Sequence, residues 1–335
     1  MVLGFPFLLG FGFLCVFGSL MSVSASHWLG IWVGLELNLM GFLPLIVHGG
    51  DSQFVESSIK YFVVQALGSS LFLLGGFMHG SFFLGWGWGL GSSLMSVLLL
   101  GLLLKLGVAP FHWWVPSVMG GLGWFACGFL ATWQKFAPLF LLCGIFSDFF
   151  YLFFFFACFS SLVGGIGGVG QVQLRILMGY SSINHLGWMI GLFVCSLLGG
   201  FCYYFFYFFI SLLIFFVLSG SGFWRVSQIS CGVGLFALIG LVSLGGLPPL
   251  SGFVPKWVAL QAIGSVGQFL LGGVLIVGAL VSLYYYLSLV FLLFIDLGVC
   301  YGLYFSDGRW VRFTALSFVC FCFGFPLYEV VVGVS

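Results

Sequence analysis

Charge is what this chain lacks most. Only 4% of its 335 residues are charged, while 62% are hydrophobic. A soluble domain carries roughly 25% charged residues, and so few charges cannot cover a water-facing surface. The solvent for most of the chain is therefore lipid. The formal net charge of +1 leaves no basic face to neutralise phosphates, which excludes nucleic acid as a partner. Clustered thiols are missing too. Cys15, Cys127, Cys143, Cys158, Cys195, Cys202, Cys231, Cys300, Cys320 and Cys322 include no C-x-x-C pair. Iron–sulfur and zinc sites need grouped thiolates, so no metal is expected here, and the cysteines read as small apolar fillers of helix surfaces. Threonine occurs only as Thr132 and Thr314, and asparagine only as Asn38 and Asn184. The abundant Phe, Gly, Val, Leu and Trp have codons rich in T and G, and the scarce residues have codons rich in A and C. Such a bias suggests an organelle genome. The first residues carry no basic n-region and no Arg-rich presequence, so the first segment reads as a retained helix.

What is present is a succession of apolar runs. A spanning helix needs about 20 apolar residues. On that scale segments fall near 1–20, 28–47, 57–79, 82–104, 105–120, 124–147, 149–168, 170–195, 199–220, 231–256, 262–295 and 314–334. The pair meeting near residue 105 reads as one broken element, and 262–295 as one long helix or two. The expected fold is all-α: a polytopic bundle of about 10–11 transmembrane helices. No linker is long enough to separate domains, so 1–335 reads as a single integral membrane domain, with a core at 28–257 and C-terminal helices at 262–334.

Lysine is largely absent from the polar connections and lies inside the apolar runs instead. Glu36, Lys105, Lys135 and Lys256 all sit in such runs. Each ionisable group costs at least ~2.5–3.5 kcal/mol at mid-bilayer. Four cost on the order of 10 kcal/mol, comparable to the stability of a whole fold. They persist if they face the bundle interior, pair and act. The bland alternative, snorkelling from a helix end, stays open for Lys135 and Lys256, whose segment ends are blurred by Pro138 and Pro255. A desolvated amine takes up and releases a proton near neutral pH, which arginine does not. Cost also predicts that Glu36 and Lys105 pair, although 68 residues separate them, because an unpaired buried charge is dearer than a paired one.

His112 follows Lys105 by seven residues, two turns along one face if the helix is continuous. His185 lies within another apolar run. Imidazole donates at one nitrogen and accepts at the other, which suits a relay; a hydrogen-bonded structural histidine is the alternative for each. Two helix-breaking sites complete the pattern, Pro110 after Lys105 and Gly245-Gly246-Leu247-Pro248-Pro249 before Lys256. Proline removes an intrahelical hydrogen bond. Broken backbone at membrane depth is tolerated where it is buried or lines a wet cavity, and paired breaks point to an ion path. The breaks lie about 140 residues apart, so a weak internal repeat is plausible. Each should free backbone carbonyls to hold water or a lysine ammonium.

Six stretches in order carry a family resemblance. They are Trp32-Val33-Gly34-Leu35-Glu36-Leu37-Asn38, Ile59 through Ala66, and Leu104 through Trp114 with Lys105, Pro110 and His112. Then come Thr132-Trp133-Gln134-Lys135-Phe136-Ala137-Pro138, Gln171 through Met189 with His185, and Gly246 through Trp257 with Lys256. They resemble the chain 2 family of mitochondrial NADH–ubiquinone oxidoreductase, which is similar to multi-subunit cation/proton antiporters. The resemblance implies an antiporter-like bundle with two broken helices, acting as a proton-translocating subunit of that enzyme in the mitochondrial inner membrane. It implies a relay of Glu36, Lys105, Lys135 and Lys256; the imidazole chemistry above adds His112 and His185 to it. It implies other membrane subunits as partners, with NADH, FMN, iron–sulfur clusters and ubiquinone bound elsewhere; this chain has no G-x-G-x-x-G after a strand. Ile176 departs from the pattern, where relatives carry a second basic residue, and so does Asn184, where a small residue is usual. A free-standing cation/proton antiporter and a purely structural scaffold are the rival readings.

Overall fold

A computed structural model of the chain describes residues 4–48, 50–83, 91–145, 149–228 and 233–297. Among them there is no β-strand, only an isolated antiparallel bridge between Gln173 and Arg225. In hydrocarbon every backbone polar group must be satisfied within the segment, and the α-helix does this.

Among the described residues thirteen α-helices follow one another. The first seven are α1 Gly4–Ser24, α2 Trp28–Val47, α3 Ser52–Phe83, α4 Gly91–Leu106, α5 Trp114–Gly121, α6 Trp124–Ala131 and α7 Trp133–Cys143. The remainder are α8 Phe150–Gly168, α9 Leu174–Cys195, α10 Leu197–Ser221, α11 Val233–Gly245, α12 Phe253–Val266 and α13 Phe269–Leu297. Among the described residues seven stretches are long and apolar enough to cross a membrane. Adding α9 and the two interrupted elements, α4–α5 and α11–α12, brings the number to ten. The expected segment 314–334 lies outside the described residues. The 262–295 region is one helix that begins at Phe269, because α12 runs on to Val266 and ends at Gly267, whose φ is +79°.

The chain divides into two compact units, Met1–Asp148 and Phe149–Ser335. In the first, α1 packs on α2, α2 on α3, α3 on α4 and α5, and α7 on α1 and α4. In the second, α8 packs on α9 and α13, and α10 on α9, α11 and α12. The leading helix pair of each unit meets through glycine. A Cβ on Gly18 would collide with the backbone nitrogen of Asn38, and one on Gly164 with that of Asn184. Small residues at such contacts let backbones approach, which drives association where lipid tails are as apolar as leucine.

Large apolar side chains also face outward: Phe13 is 69% exposed, Tyr151 87% and Leu198 79%. Such residues belong against lipid. Buried serines satisfy themselves locally. Ser19, Ser22, Ser160, Ser181, Ser182 and Ser243 each donate to the carbonyl three residues back.

Candidate functional site: buried lysines at interrupted helices

In the first unit, Lys105 occupies the last turn of α4. The helix stops there because Gly107 takes a left-handed φ of +70°, a conformation that glycine adopts without a Cβ penalty. Gly107 donates to Leu103 at 3.0 Å and Val108 to the same carbonyl at 3.2 Å. The next two carbonyls are met by side chains. Trp114 Nε1 donates to Leu104 O at 3.1 Å and Gln65 Nε2 to Lys105 O at 3.1 Å. Residues 107–113 then run irregularly, with a cis peptide at Ala109-Pro110, before α5 begins.

His112 therefore does not share a helical face with Lys105. It lies in the interruption, buried, and its Nδ1–H donates to Pro110 O at 3.2 Å. The condition of a continuous helix fails because Pro110 supplies no N–H to continue one.

A third interruption, one residue long, precedes Lys135. Thr132 at φ −111°, ψ −79° separates α6 from α7, and its hydroxyl donates to Gly128 O at 2.6 Å. Lys135 sits buried in the first turn of α7. Pro138 lies one turn on and offers no N–H to the carbonyl of Gln134.

The residues just before this lysine bond to side chains across the unit. Tyr61 OH donates to Gln134 Oε1 at 3.3 Å, and Gln134 Nε2 donates to Asn38 Oδ1 at 3.0 Å. Trp133 Nε1 donates to Ser19 Oγ at 3.1 Å. Glu36 is half-buried on α2 and lies within electrostatic range of both Lys105 and Tyr61. The expected Glu36–Lys105 contact pair does not close. Lys60 and Glu56, on the exposed start of α3, do form an ion pair, at 2.6 Å. Glu36 and Lys105 ride on helices that each pack against α3.

In the second unit the lysine stands after the break. Helix α11 ends at Gly245, followed by Gly246 at φ +84°, and α12 begins at Phe253. Lys256 in its first turn is buried and donates to Gly245 O at 2.6 Å. The ammonium thus fills the role of a C-terminal cap on the preceding half-helix. His185 is buried on α9, with Nδ1 2.9 Å from the Tyr203 hydroxyl and its ring 5.0 Å from that of Tyr207. Arg175, at the start of α9, places its guanidinium 4.1 Å from the centre of the Trp224 ring.

All three lysines and both histidines are thus buried, each lysine within a turn or so of an interruption, and Glu36 is half-buried. Asn38, Tyr61, Gln65 and Gln134 are site residues that reasoning from charge alone passes over, although the quoted motifs contain them. Among the described residues, no group of three or more His, Cys, Asp or Glu is placed to hold a metal ion.

Residues 25–282 match the family model described as NADH:quinone oxidoreductase/Mrp antiporter, transmembrane. The NADH-ubiquinone oxidoreductase chain 2 of Branchiostoma lanceolatum is 38% identical over 295 residues, 84% of this chain and 84% of that one. The chain belongs to the NADH-ubiquinone oxidoreductase chain 2 family. As a member, it is a multi-pass subunit in the membrane arm of a proton-pumping NADH–ubiquinone oxidoreductase of the mitochondrial inner membrane. A chain of respiratory complex I from Thermus thermophilus, solved with bound aureothin, superposes with a TM-score of 0.79 at 26% identity, over 93% of this chain and 76% of that one. A chain of the Mrp complex from a Dietzia species shares the fold, with a TM-score of 0.74 at 18% identity over 82% of this chain and 58% of that one. The Thermus structure is of a respiratory complex, as fits a subunit whose partners are other members of such a complex.

Proposed function

We propose that Glu36, Lys105, His112, Lys135, His185 and Lys256 carry protons through this subunit. The observation that supports this most is the placement of the lysines: each is buried and each adjoins an interruption of a membrane helix. Interrupted backbone at membrane depth offers polar groups where hydrocarbon would offer none. A lysine there alternates between ammonium and amine as its surroundings change. Glu36 holds the charge on Lys105 when it is ionised, and releases it when it is neutral. The Gly245 carbonyl steadies the charge on Lys256 by accepting from its ammonium. His112 and His185 pass a proton from one ring nitrogen to the other.

NADH, FMN, iron–sulfur clusters and ubiquinone are bound by other subunits. The chain contributes a path, held among other membrane subunits and lipid, and takes no part in nucleic-acid binding. A structural role for Lys256 is the competing reading, since an ammonium on a C-terminal carbonyl also stabilises a half-helix.

The test is proton translocation per NADH oxidised by the purified complex in proteoliposomes, with Lys105→Met and Lys256→Met. Loss of translocation in assembled complexes supports the relay. Normal translocation in both would leave the lysines as structural charges.

A further inference from the structure

The second unit has a polar interior that the six relay residues do not account for. From Phe149 to Ile295 the sequence contains no aspartate or glutamate. No carboxylate of that stretch therefore answers His185 or Lys256. What stands near them instead is phenol. The chain uses 45 phenylalanines against 12 tyrosines, so tyrosine is the rarer way to fill space. Yet Tyr203, Tyr204, Tyr207, Tyr285 and Tyr286 are all buried here.

Their hydroxyls converge. Tyr203 OH meets His185 Nδ1 at 2.9 Å. The hydroxyls of Tyr207 and Ser182 face one another. Tyr203, Tyr207 and Tyr286 lie within electrostatic range of one another. Tyr286 faces Ser181 and Tyr285, but the hydroxyls of Tyr285 and Tyr286 close no bond of full hydrogen-bonding geometry. Ser181 and Ser182 donate to Met178 O and Gly179 O, which leaves their lone pairs to accept. The ring of Tyr286, through its Cδ2 edge, packs on Gly245, so that a Cβ there would lie 3.3 Å away. The carbonyl of that same Gly245 holds Lys256 Nζ.

A buried hydroxyl without a partner costs about 1–3 kcal/mol, and phenylalanine would fill the same space at no such cost. Tyr285 and Tyr286 remain under that penalty, beside tyrosines that are already bonded, and so call for a role that needs the oxygen. We infer that Tyr286, Tyr207 and Tyr203, with Ser181 and Ser182, form a hydroxyl path, completed by water, that carries protons between Lys256 and His185. The inference rests on the reading that both of those groups belong to the relay.

The step balances without any redox change. The Lys256 ammonium gives its proton to a water or hydroxyl oxygen. Each oxygen along the path forms one O–H bond as it breaks another and ends neutral. Tyr203 finally donates to His185 Nδ1, leaving neutral lysine and imidazolium, and the reverse sequence uses the same bonds. No tyrosinate has to form, and the hydroxyls reset by rotation.

The experiment uses the assembled complex in proteoliposomes, reading proton translocation per NADH oxidised in H2O and in D2O. Tyr286→Phe and Tyr207→Phe keep the ring and remove the oxygen. Each is expected to slow translocation about tenfold or more and to change its solvent isotope effect. Tyr284→Phe, on the same helix but 63% exposed, is expected to match the parent. Lys256→Met separates the two readings. If it abolishes translocation while both phenol variants pump with the parent's isotope effect, the hydroxyl path is overturned and the lysine relay stands. If it pumps normally, the relay falls and the path with it. Should the phenol variants fail to assemble, an experimental structure of the parent complex resolving ordered water decides the matter. Water bonded to the Tyr285 and Tyr286 hydroxyls is expected, and a dry cluster overturns the inference.

Discussion

The two units treat the same problem in opposite ways. Each contains a membrane helix cut short by a left-handed glycine, Gly107 in one and Gly246 in the other. In the first unit the lysine precedes the cut, and neutral side chains meet the freed carbonyls: Gln65 takes that of Lys105 and Trp114 that of Leu104. The ammonium is left to the field of a carboxylate, Glu36. In the second unit the lysine follows the cut and meets the freed carbonyl itself, at 2.6 Å. With no carboxylate between residues 149 and 295, a backbone dipole takes over the part of the counter-charge. A broken helix thus supports a buried lysine in two ways: by delegating its caps, or by making the lysine the cap.

The largest effect should come where the units agree. Gly18→Val and Gly164→Val each push a side chain into the backbone of the neighbouring helix, at a cost of ~3 kcal/mol. Native electrophoresis should show assembly falling for both. If only one fails, the glycine contacts are not equivalent.

Where the units differ, the lysine variants should part company. Lys256→Met strips the cap from Gly245 and should cost about 2 kcal/mol, whereas Lys105→Met leaves both caps in place and removes a buried charge, and should cost less. Thermal inactivation of the assembled complex measures this, and equal losses would break the comparison. Gln65→Leu should lie between them at about 1 kcal/mol, since it orphans the Lys105 carbonyl. At the small end, Lys60→Met removes the exposed pair with Glu56 and should leave both stability and pumping unchanged.

Much of this was legible in the sequence, for physical reasons. Apolar runs set the helices because lipid thickness sets their length, so the run at 28–47 coincides with α2. Pro110 and Pro248-Pro249 mark the two long interruptions where they follow a left-handed glycine, Gly107 and Gly246, whereas Pro44 and Pro138 are carried within α2 and α7. The freed carbonyl holding an ammonium also follows from that chemistry. Other features leave no such trace. The cut at Thr132 contains neither proline nor glycine; a threonine hydroxyl bonding back to Gly128 is its only sign. Helix α3 starts at Ser52 rather than 57, because Ser52, Gln53, Glu56 and Lys60 continue the helix beyond its apolar stretch. The Glu36–Lys105 separation depends on the packing of α2 and α4 against α3, which no local pattern encodes.

The central claim is that buried lysines at helix interruptions carry protons, and Lys135 tests it most directly. It is buried, follows the cut at Thr132, and neighbours the Tyr61–Gln134–Asn38 chain. Lys135→Met keeps the length of the side chain and removes the titratable group, while Lys135→Arg keeps the charge but does not give up its proton. The measurement is proton translocation per NADH oxidised, made on complexes whose assembly is verified. The account predicts loss of pumping in both variants, including the one that keeps its charge. Pumping at the parent's level by assembled Lys135→Arg would contradict it.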